Sequence, residues 1–420
     1  MKIIVIGAGL LGSSSAYFLS NLGHEVVVLE RQPGPGIETS YANAGMLTPS
    51  QAAPWNQPGI LGNMLHWIGR EDAPVLVRPG AVFSLLGWGS RFLMNSMAAR
   101  FHQNLKKNAA LAHYSLGLLQ SFRDRHAVHY DATARGTLKF FVNQREFDHE
   151  SRFNDLYRDA GIDFRLLDGK SALQVEPALA DISAKIVAAI HYPHDESGDA
   201  HLFCRALVEH AEAAGAAFHY GVVIGGFERI ADRISSVTTN RGAYIADAYV
   251  LAAGSYSPLL AGSVGLHLPI RPVKGYSLTF NLDGWDKGPC MPLVDESVHT
   301  AITPLGKRLR VAGTAEFNGY NTALRPGRID NMARILRNTC PGFVPYMDMK
   351  TAVPWAGLRP YSCDGVPLLG PTPVANLYLN TGHGHLGWSM AMGSGKLVAD
   401  LISQYATDID LAPYQLQRFG

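Results

Sequence analysis

The part of the chain that most constrains its fold is the first thirty residues, MKIIVIGAGLLGSSSAYFLSNLGHEVVVLE. An apolar run, Ile3–Ile6, leads into Gly7-Ala8-Gly9-Leu10-Leu11-Gly12; a helical stretch then ends at Gly23, and a second apolar run ends on Glu30. This order predicts a strand, a glycine-rich turn, a helix and a strand with an acid at its tip. That context makes a GxGxxG motif specific, and we interpret the segment as a dinucleotide-binding βαβ unit.

The glycines and the acid of this unit each have a physical reason. Gly7 permits the tight turn, Gly9 lets the backbone approach a pyrophosphate, and Gly12 lets the helix pack closely on the strand. The helix N-terminus offers unpaired N–H groups and a positive dipole end to the phosphates. A carboxylate at Glu30 suits the ribose hydroxyls and disfavours a 2′-phosphate, which argues against NADP.

Length and composition limit the class of protein. A chain of 420 residues predicts two domains, or one domain with large insertions, and the net charge of +1 offers no footprint for nucleic acid. The four cysteines, Cys204, Cys290, Cys340 and Cys363, form no CxxC pair, which favours a reducing compartment. Glycines and serines interrupt the uncharged N-terminal stretch, so we expect neither a signal peptide nor a membrane span, and a cytoplasmic protein.

Local patterns predict further elements beyond the first unit. A dense series of strand-like runs over residues 271–320 indicates an antiparallel sheet separate from the nucleotide-binding one. The other predicted elements are a strand at Thr137–Val142, helices at Glu146–Ala160 and Ala200–Ala214, strand-like alternation over 216–254, a strand at Asn376–Leu379, a glycine-rich turn at Thr381–Gly387 and a helix at Met390–Leu401. Nucleotide-type units thus open and close the chain, which predicts a discontinuous cofactor domain with a second domain inserted.

Residues 52–101 are unusually rich in Trp, Leu and Met and poor in acids. Two apolar segments stand out, LGNMLHWIGR and AVFSLLGWGSRFLMNSM. We favour buried helices that cover a sheet. The alternative is a surface that touches a membrane or a partner subunit.

Three later motifs suit a redox cofactor and an acidic ligand. The strand YVLAAGSY ends in small residues that let backbone pass close to a cofactor, and TGHGHLGW precedes a helix whose N-terminus stabilises negative charge. The segment WAGLRP holds Arg359 beside a proline, and arginine binds carboxylates through two parallel hydrogen bonds. Each also has a plainer interpretation, as an ordinary turn or a structural arginine.

Other constellations are rejected. The crowd of His, Asp and Glu over residues 191–201 has no metal-ligand spacing, so we expect no metal. Gly393-Ser394-Gly395-Lys396 is not a P-loop because Met390 stands where the first glycine is required.

Taken together, these segments resemble the D-amino-acid oxidase superfamily of FAD enzymes, and within it the bacterial D-amino acid dehydrogenases of the small (catalytic) subunit type. The resemblance runs over nearly the whole chain. It is carried by GAGLLGSSSAYFLSNLGHEVVVLER, ETSYANAGMLTPSQAAPW, HYPHDESGDAHLF, RPVKGYSLTF, WAGLRPYSCDGVPLLG and LNTGHGHLGWSMAMGSGKLVADL.

The resemblance implies an α/β fold: a Rossmann-like FAD-binding domain of residues 1–52, 195–270 and 355–420, and a discontinuous α+β substrate domain of residues 53–194 and 271–354 built on an antiparallel sheet. It implies FAD, bound noncovalently because no cysteine matches the flavin-linking position of the sarcosine oxidase branch. The implied FAD contacts are Gly7, Gly9, Leu10, Leu11, Gly12, Ala253 and Gly254 at the pyrophosphate, Glu30 and Arg31 at the adenosine ribose, Thr39, Ser40, Ala44, Gly45 and Met46 along the phosphates toward the flavin ring, Ile224 at adenine, and Gly382, Gly384, His385, Leu386 and Gly387 at the pyrimidine end of the flavin.

Arg359 matches the arginine that holds the substrate carboxylate in this superfamily. Where the oxidases add a tyrosine for the same carboxylate, this chain has Ala301, a departure that fits the dehydrogenase branch. The second carboxylate contact is therefore open, and His299 and Tyr276 are the candidates.

The activity implied is oxidation of a D-amino acid to a 2-oxo acid and ammonia by hydride transfer to flavin N5, with electrons passed to a quinone-type acceptor. Residues 52–101 would meet that acceptor, at the inner face of the cytoplasmic membrane or on a partner subunit. The alternatives are an amine or glycine oxidase or a D-hydroxyproline dehydrogenase of the same superfamily, a flavin subunit of a membrane-associated electron-transfer complex, and a noncatalytic NAD-binding module.

Overall fold

The structure, a computed structural model, describes residues 1–60, 62, 71 and 73–420. Its strands are β1 (Lys2–Ile6), β2 (Glu25–Glu30), β3 (Met46–Leu47), β4 (Val75–Val77), β5 (Thr137–Phe141), β6 (Arg165–Asp168), β7 (Ala188–Tyr192), β8 (Glu196–Ser197), β9 (Ala217–Tyr220), β10 (Ile224–Ile230), β11 (Arg233–Thr239), β12 (Gly242–Tyr244), β13 (Ala248–Leu251), β14 (Ile270–Asn281), β15 (Leu293–Asp295), β16 (Thr300–Leu305), β17 (Arg308–Phe317), β18 (Val353–Ser362), β19 (Leu368–Pro371) and β20 (Leu377–Thr381). Its α-helices are α1 (Leu10–Asn21), α2 (Val82–Met94), α3 (Ala98–His126), α4 (Gln144–Ser151), α5 (Asn154–Asp159), α6 (Gly169–Val175), α7 (Ala200–Ala213), α8 (Ser257–Gly262), α9 (Pro326–Thr339) and α10 (Ala391–Ile402).

The first sheet is a six-stranded Rossmann-like sheet in the order β19-β20-β13-β1-β2-β9. Its pairings are parallel except that of β19 with β20. Helices α1 and α10 pack closely on one another, since the Ser14 Oγ hydroxyl donates to the Ala391 carbonyl at 2.8 Å. The predicted βαβ unit and the return of the chain to the same sheet at β20 are confirmed.

The second sheet has nine strands, with the order β18-β14-β17-β16-β15-β5-β7-β6 and β4 paired beside β17. Most of its pairings are antiparallel, as expected from residues 271–320, and β15–β5 and β17–β4 are parallel. Strands β14 and β18 pair over Ile270–Thr279 and Val353–Ser362, which is the longest register in the molecule as described. Among the described residues, β10-β11-β12 form a small third sheet and β3 pairs with β8. The mixed α/β fold class with two large sheets agrees with the prediction.

The division of the chain into two domains stays a prediction, but two elements lie elsewhere than it placed them. Strand β18 belongs to the second sheet because it pairs with β14, although the division began the last FAD-binding segment at residue 355. Helix α3 packs Leu111, Leu119 and Phe122 into the core of the nucleotide-binding half, although residues 53–194 were assigned to the substrate domain.

The prediction of buried helices within residues 52–101 is wrong for one side of helix α2. Trp88 and Phe92 are buried against the second sheet, but the opposite side of the helix is exposed, with Phe83 84% and Met94 52% accessible. The helix is therefore amphipathic and covers the sheet with one face only. The segment LGNMLHWIGR lies almost entirely outside the described residues.

The helix predicted at Glu146–Ala160 is interrupted. Helix α4 ends at Ser151 and α5 begins at Asn154, with Phe153 packed between them at a ring distance of 5.5 Å from Phe101. Within the described part of the chain, no helix combines the length and the apolarity that crossing a bilayer requires.

Candidate active site

One large cavity, of about 1110 Å³, is lined by elements of both sheets. Gly9 and Leu10 contribute from the β1–α1 turn, while Tyr276, Thr314 and Arg359 contribute from β14, β17 and β18. Small-molecule sites have volumes of about 300–1,000 Å³, so this cavity has room for a large cofactor together with a small substrate.

The N-terminus of α1 forms one part of the cavity wall. The N-cap, Gly9, has no side-chain cap, and the Leu10 amide donates to Ser40 Oγ at 3.2 Å. The next two amides of the first turn, those of Leu11 and Gly12, donate to no group in the described residues. A helix N-terminus left open in this way is an anion site and fits a pyrophosphate.

Gly7 and Gly12 serve packing. Gly7 has a φ of +101°, and a Cβ there would stand 2.8 Å from the Ala252 carbonyl oxygen. A Cβ on Gly12 would overlap the carbonyl oxygen of Gly7, and Gly12 does not line the cavity. Gly12 thus allows the close approach of helix and strand rather than contact with a ligand.

Glu30 and Arg31 line the cavity at the end of β2. The Glu30 carboxylate accepts from the Ala8 amide at 2.7 Å and from the Gln32 amide at 2.8 Å, while burial raises its pKa. Arg31 donates to Glu38, and its guanidinium lies 3.7 Å from the centroid of the Tyr256 ring. Both side chains are held at the edge where a ribose is expected.

The segment after this edge reaches toward the second sheet. Thr39 Oγ1 donates to the Leu358 carbonyl at 2.8 Å, and the Ala44 carbonyl accepts from Thr303 Oγ1 at 2.7 Å. Four of the five predicted residues here line the cavity: Thr39, Ser40, Ala44 and Met46. The fifth, Gly45, does not; its φ is +71°, and its carbonyl accepts from the Gly198 amide, so it shapes the turn.

The remaining predicted cofactor contacts divide in the same way. Those that line the cavity are Ile224, Ala253, Gly254, Gly384, His385 and Gly387. Gly382 and Leu386 are not part of the lining. The amides of Leu386, Met390 and Ala391 already donate to backbone carbonyls, whereas those of His385 and Gly387 donate to no group in the described chain. The open amides therefore belong to the turn and not to the first residue of α10.

Two histidines in this turn, the buried His383 and the partly buried His385, are neutral. Burial lowers the pKa of His383 to about 3 and that of His385 to about 4. His383 Nε2 pairs with Ser394 Oγ at 2.9 Å, and His385 Nε2 lies 3.0 Å from the Gln51 carbonyl oxygen, which requires a proton on that nitrogen. The imidazoles can donate hydrogen bonds here, but they bring no positive charge.

Arg359 is a cation of the cavity wall without a carboxylate partner among the described residues. Its Nη1 donates to the Thr314 carbonyl at 2.9 Å, and burial lowers its pKa to about 10, so it stays charged at neutral pH. Among the described residues no carboxylate forms an ion pair with it. A partly buried guanidinium without a counter-charge is suited to an anionic ligand, and a carboxylate matches its fork geometry.

Two details of β14 and β17 determine where the guanidinium of Arg359 lies. The register of β14 shifts between Lys274 and Tyr276, and a Cβ on the intervening Gly275 would overlap the guanidinium. Thr314, whose carbonyl accepts from Arg359, has a φ of +58°, a strained conformation for a β-branched residue. Such strain is characteristic of functional sites.

Aromatic rings form the wall beside Arg359. Trp55 stacks on Tyr361 with ring centroids 4.7 Å apart and on His385 at 5.3 Å. The Trp55 amide donates to the Tyr361 hydroxyl oxygen at 2.6 Å, and the guanidinium of Arg359 lies 5.7 Å from the Trp55 ring. This wall shields the arginine from water.

The two candidates for the second carboxylate contact both line the cavity but have other partners. The Tyr276 hydroxyl donates to Glu316 at 2.7 Å. His299 lies 3.4 Å from Glu296 through Nδ1, which raises its pKa. Their roles toward a substrate stay predictions.

The crowded acids and histidines of residues 191–201 have structural partners. Asp195 accepts from Ser50, Glu196 pairs with Arg123, and Asp199 caps α7.

Reasoning from the sequence missed several lining residues: Trp55, Tyr361, Thr314, Gly275 and the polar group formed by Lys139, Glu150 and Glu296. Only Tyr361 had a usable signal, because it stands two residues after Arg359 and alternate residues of a strand share one face. The others reach the site through pairings between distant segments.

The residues present fit a flavin dinucleotide. The uncapped α1 N-terminus suits the pyrophosphate, the Glu30 edge suits the ribose, and the open amides of His385 and Gly387 are donors for the electron-rich end of a flavin ring. Fold and site together define a dinucleotide-dependent oxidoreductase.

Comparison with known proteins identifies the family. The family model described as DAO, FAD dependent oxidoreductase, matches residues 2–401, and the chain belongs to this family of FAD-dependent oxidoreductases. FAD is therefore its cofactor. The chain is 40% identical to the D-amino acid dehydrogenase of Granulibacter bethesdensis over 420 residues and 41% identical to that of Methylobacterium radiotolerans over 424, with 100% of this chain and of each relative covered.

Solved structures agree on the fold. Glycine oxidase from Geobacillus kaustophilus superposes with a TM-score of 0.76 at 23% identity, covering 99% of this chain and 98% of that one. L-proline dehydrogenase from P. horikoshii superposes with a TM-score of 0.75 at 19% identity, covering 100% and 97%.

Proposed function

We propose that this protein oxidises D-amino acids to 2-oxo acids and ammonia, with noncovalently bound FAD and with the substrate carboxylate held by Arg359. The observation that carries this proposal is the unpaired guanidinium of Arg359 in the cavity of an FAD-dependent enzyme. Full-length relatives at about 40% identity that are named D-amino acid dehydrogenase support the D-series. No cysteine is part of the described lining, which is consistent with a noncovalent cofactor.

The protein contributes mainly orientation. Arg359 binds both carboxylate oxygens, and the Thr314 carbonyl fixes Nη1, so the substrate is held in one position with its Cα at a defined place in the cavity. FAD, when bound, is the acceptor of the hydride that leaves Cα. The aromatic wall of Trp55 and Tyr361 keeps water from the arginine and strengthens its interaction with the carboxylate.

Proton transfer needs no dedicated base. His383 and His385 are neutral, and each has a ring nitrogen engaged, so we assign neither to proton removal. The substrate enters with a neutral amine, and the imino acid product reacts with water to give the 2-oxo acid and ammonia.

The decisive experiment is an anaerobic visible spectrum of the purified holoenzyme before and after addition of D- or L-amino acids. We expect D-amino acids alone to bleach the flavin band. Bleaching by L-amino acids would contradict the handedness. Bleaching only by cyclic or N-substituted amines, or by none of the amino acids, would contradict the substrate class.

We further propose that the electron acceptor is a quinone reached beside α2. The exposed side of this helix carries Phe83, Leu86 and Met94, while Leu85 and Trp88 line the cavity. One short helix thus joins an apolar surface to the site of oxidation, as a membrane-borne acceptor requires.

The test of the acceptor uses the double variant Phe83→Ser/Met94→Ser, whose two side chains do not line the cavity. We expect it to lose sedimentation with phospholipid vesicles and reduction of a lipophilic quinone, while turnover with a water-soluble dye is kept. Unchanged vesicle binding, or oxygen consumption by the unaltered enzyme without an added acceptor, would contradict this part of the proposal.

A further inference from the structure

A second polar group lines the same cavity and has no part in the function proposed above. It consists of Lys139 from β5, Glu150 from α4, Tyr157 from α5, and Glu296 and His299 from the connection between β15 and β16. Ionisable residues gathered in one end of a ligand cavity are candidates for recognition.

The contacts divide this group into a buried part and a part that faces the cavity. Lys139 Nζ lies 2.7 Å from Glu150 Oε1 and 3.3 Å from Glu296 Oε2, and the Tyr157 hydroxyl donates to Glu150 at 3.1 Å. The Lys139 and Glu150 side chains are 6% and 5% exposed, whereas those of Glu296 and His299 are 21% and 48% exposed. A ligand would therefore meet Glu296 and His299 first.

The charge of this end is negative. Four carboxyl groups, those of Glu146, Glu150, Asp295 and Glu296, surround the two cations Lys139 and His299, and Glu150 and Glu296 are the two that line the cavity. Burial raises the pKa of Glu146, and repulsion from Asp295 and Glu296 raises it further. This negative charge would repel an anionic ligand group and attract a cationic one.

The sheet register sets the separation from Arg359. His299 directly precedes β16, whose Thr300 pairs with Gly313 of β17, and the next residue, Thr314, accepts from Arg359. Neighbouring strands lie about 5 Å apart, so His299 is roughly one strand spacing and Glu296 up to two spacings from the arginine contact. A substrate held by its carboxylate at Arg359 reaches Glu296 only with a long side chain.

We propose that Glu296 and His299 form the subsite for the substrate side chain and that this subsite selects side chains ending in a cation, an ammonium or a guanidinium. The inference rests on the proposed oxidation of amino acids at Arg359. It assigns His299 to the side chain and not to the substrate carboxylate, so these two roles for His299 are separable by experiment.

The test compares D-lysine with D-norleucine, whose side chain is similar in shape but carries no charge. We expect the holoenzyme to have the higher kcat/KM with D-lysine and the lowest with D-glutamate. In Glu296→Gln, the ratio of kcat/KM for D-lysine to that for D-norleucine should fall by about tenfold or more, chiefly through KM. The exposed Glu209→Gln on α7 is the matched control and should keep the ratio.

His299→Asn is the second variant, because asparagine tolerates the left-handed backbone of His299, whose φ is +47°. We expect it to change the same ratio while the flavin spectrum is kept. An equal rise in KM for D-lysine, D-norleucine and D-alanine would instead place His299 on the carboxylate and overturn the assignment. A ratio unchanged by Glu296→Gln, or a preference for D-glutamate, would overturn the subsite.

A binding measurement separates failure of this inference from failure of the proposed function. 6-Aminohexanoate and hexanoate share a carboxylate and differ in the terminal ammonium, and neither is an α-amino acid. If no amino acid is oxidised, the proposed function fails, while a larger thermal shift of the holoenzyme with 6-aminohexanoate, lost in Glu296→Gln, would still support the subsite. Equal shifts with both ligands would overturn it.

Discussion

The guanidinium of Arg359 lies over the backbone of Gly275, in the space that a side chain at that position would fill. The two residues stand on neighbouring strands, β18 and β14, which pair in a continuous register, and β14 shifts its register at Gly275 only against β17 on its other side. The position of Arg359 therefore depends on the lack of a side chain at Gly275 in β14. It also depends on the hydrogen bond to the carbonyl of Thr314 in β17, a residue whose backbone is strained.

Gly275→Ala should reduce catalysis more than stability. The added methyl would displace the end of a flexible side chain rather than backbone, so the fold is kept while the carboxylate-binding group moves by about 1 Å. We expect kcat/KM to fall by about 100-fold, with flavin content unchanged. Steady-state kinetics and the visible spectrum check both parts. The control is Gly117→Ala on the exposed side of α3, where a methyl meets open space. A variant Gly275→Ala with full activity would show that Arg359 does not act from this position.

Arg359→Lys should weaken substrate binding although it keeps the charge. A lysine ammonium cannot form the two parallel hydrogen bonds and also reach the Thr314 carbonyl. We expect kcat/KM to fall by roughly 30- to 1000-fold, equivalent to about 2–4 kcal/mol, with most of the change in KM and with FAD retained. Arg233→Lys, at the exposed first residue of β11, provides the comparison. Loss of flavin from Arg359→Lys would be evidence against its assignment to the substrate.

Asp195 should make stability depend on pH. Burial raises its pKa to about 7, although Ser50 Oγ donates to its carboxylate at 2.5 Å. The unfolded chain releases this proton near pH 4, so the folded state holds more protons between about pH 4 and 7, and stability falls as the pH rises through this window. Asp195→Asn removes the titration. Its melting temperature relative to the unaltered holoenzyme should therefore rise between pH 5 and pH 8, by an amount corresponding to roughly 2–3 kcal/mol.

The matched control for this pH dependence is Asp283→Asn, an exposed acid in the connection after β14. Its melting temperature relative to the unaltered holoenzyme should not vary with pH. A difference for Asp195→Asn that is the same at pH 5 and pH 8 would contradict the raised pKa.

Substitution of the two glycines Gly12 and Gly9 by alanine should have different effects. Gly12→Ala forces a methyl against the Gly7 carbonyl, which is backbone and cannot move aside, so we expect destabilisation by about 3 kcal/mol or more and loss of FAD. Gly9→Ala meets only Ser40 Oγ at 3.3 Å. This second variant should fold but bind FAD about tenfold more weakly. Thermal unfolding and FAD titration distinguish the two; equal stability of both variants would contradict the packing role of Gly12.

The elements that could be predicted from the sequence depend on local information. The β1–α1–β2 unit needs only the spacing of its glycines and apolar runs, and the density of strands in 271–320 indicated the second sheet. Helix α2 was predicted less well, because its apolar residues are spread around the helix and periodicity does not say which face remains exposed.

The surroundings of Arg359 could not be predicted because they depend on distant pairings. Trp55 is about 300 residues from Arg359 in the chain, and Gly275 lies beside Arg359 only because β14 pairs with β18. Lys139 and Glu296 are separated by more than 150 residues, and they meet only because β5 pairs with β15.

The packing of α1 on α10 has a consequence for biosynthesis. Ser14 lies so close to Gly395 that a Cβ on this glycine would be 2.5 Å from the Ser14 hydroxyl, and β20 pairs with β13 near the middle of the nucleotide-binding sheet. During synthesis helix α1 therefore stays uncovered until α10, which begins only at Ala391, has also been made. We expect FAD to bind only after α10 has been made, and a nascent chain interrupted before α10 to expose the apolar side of α1 to chaperones and proteases.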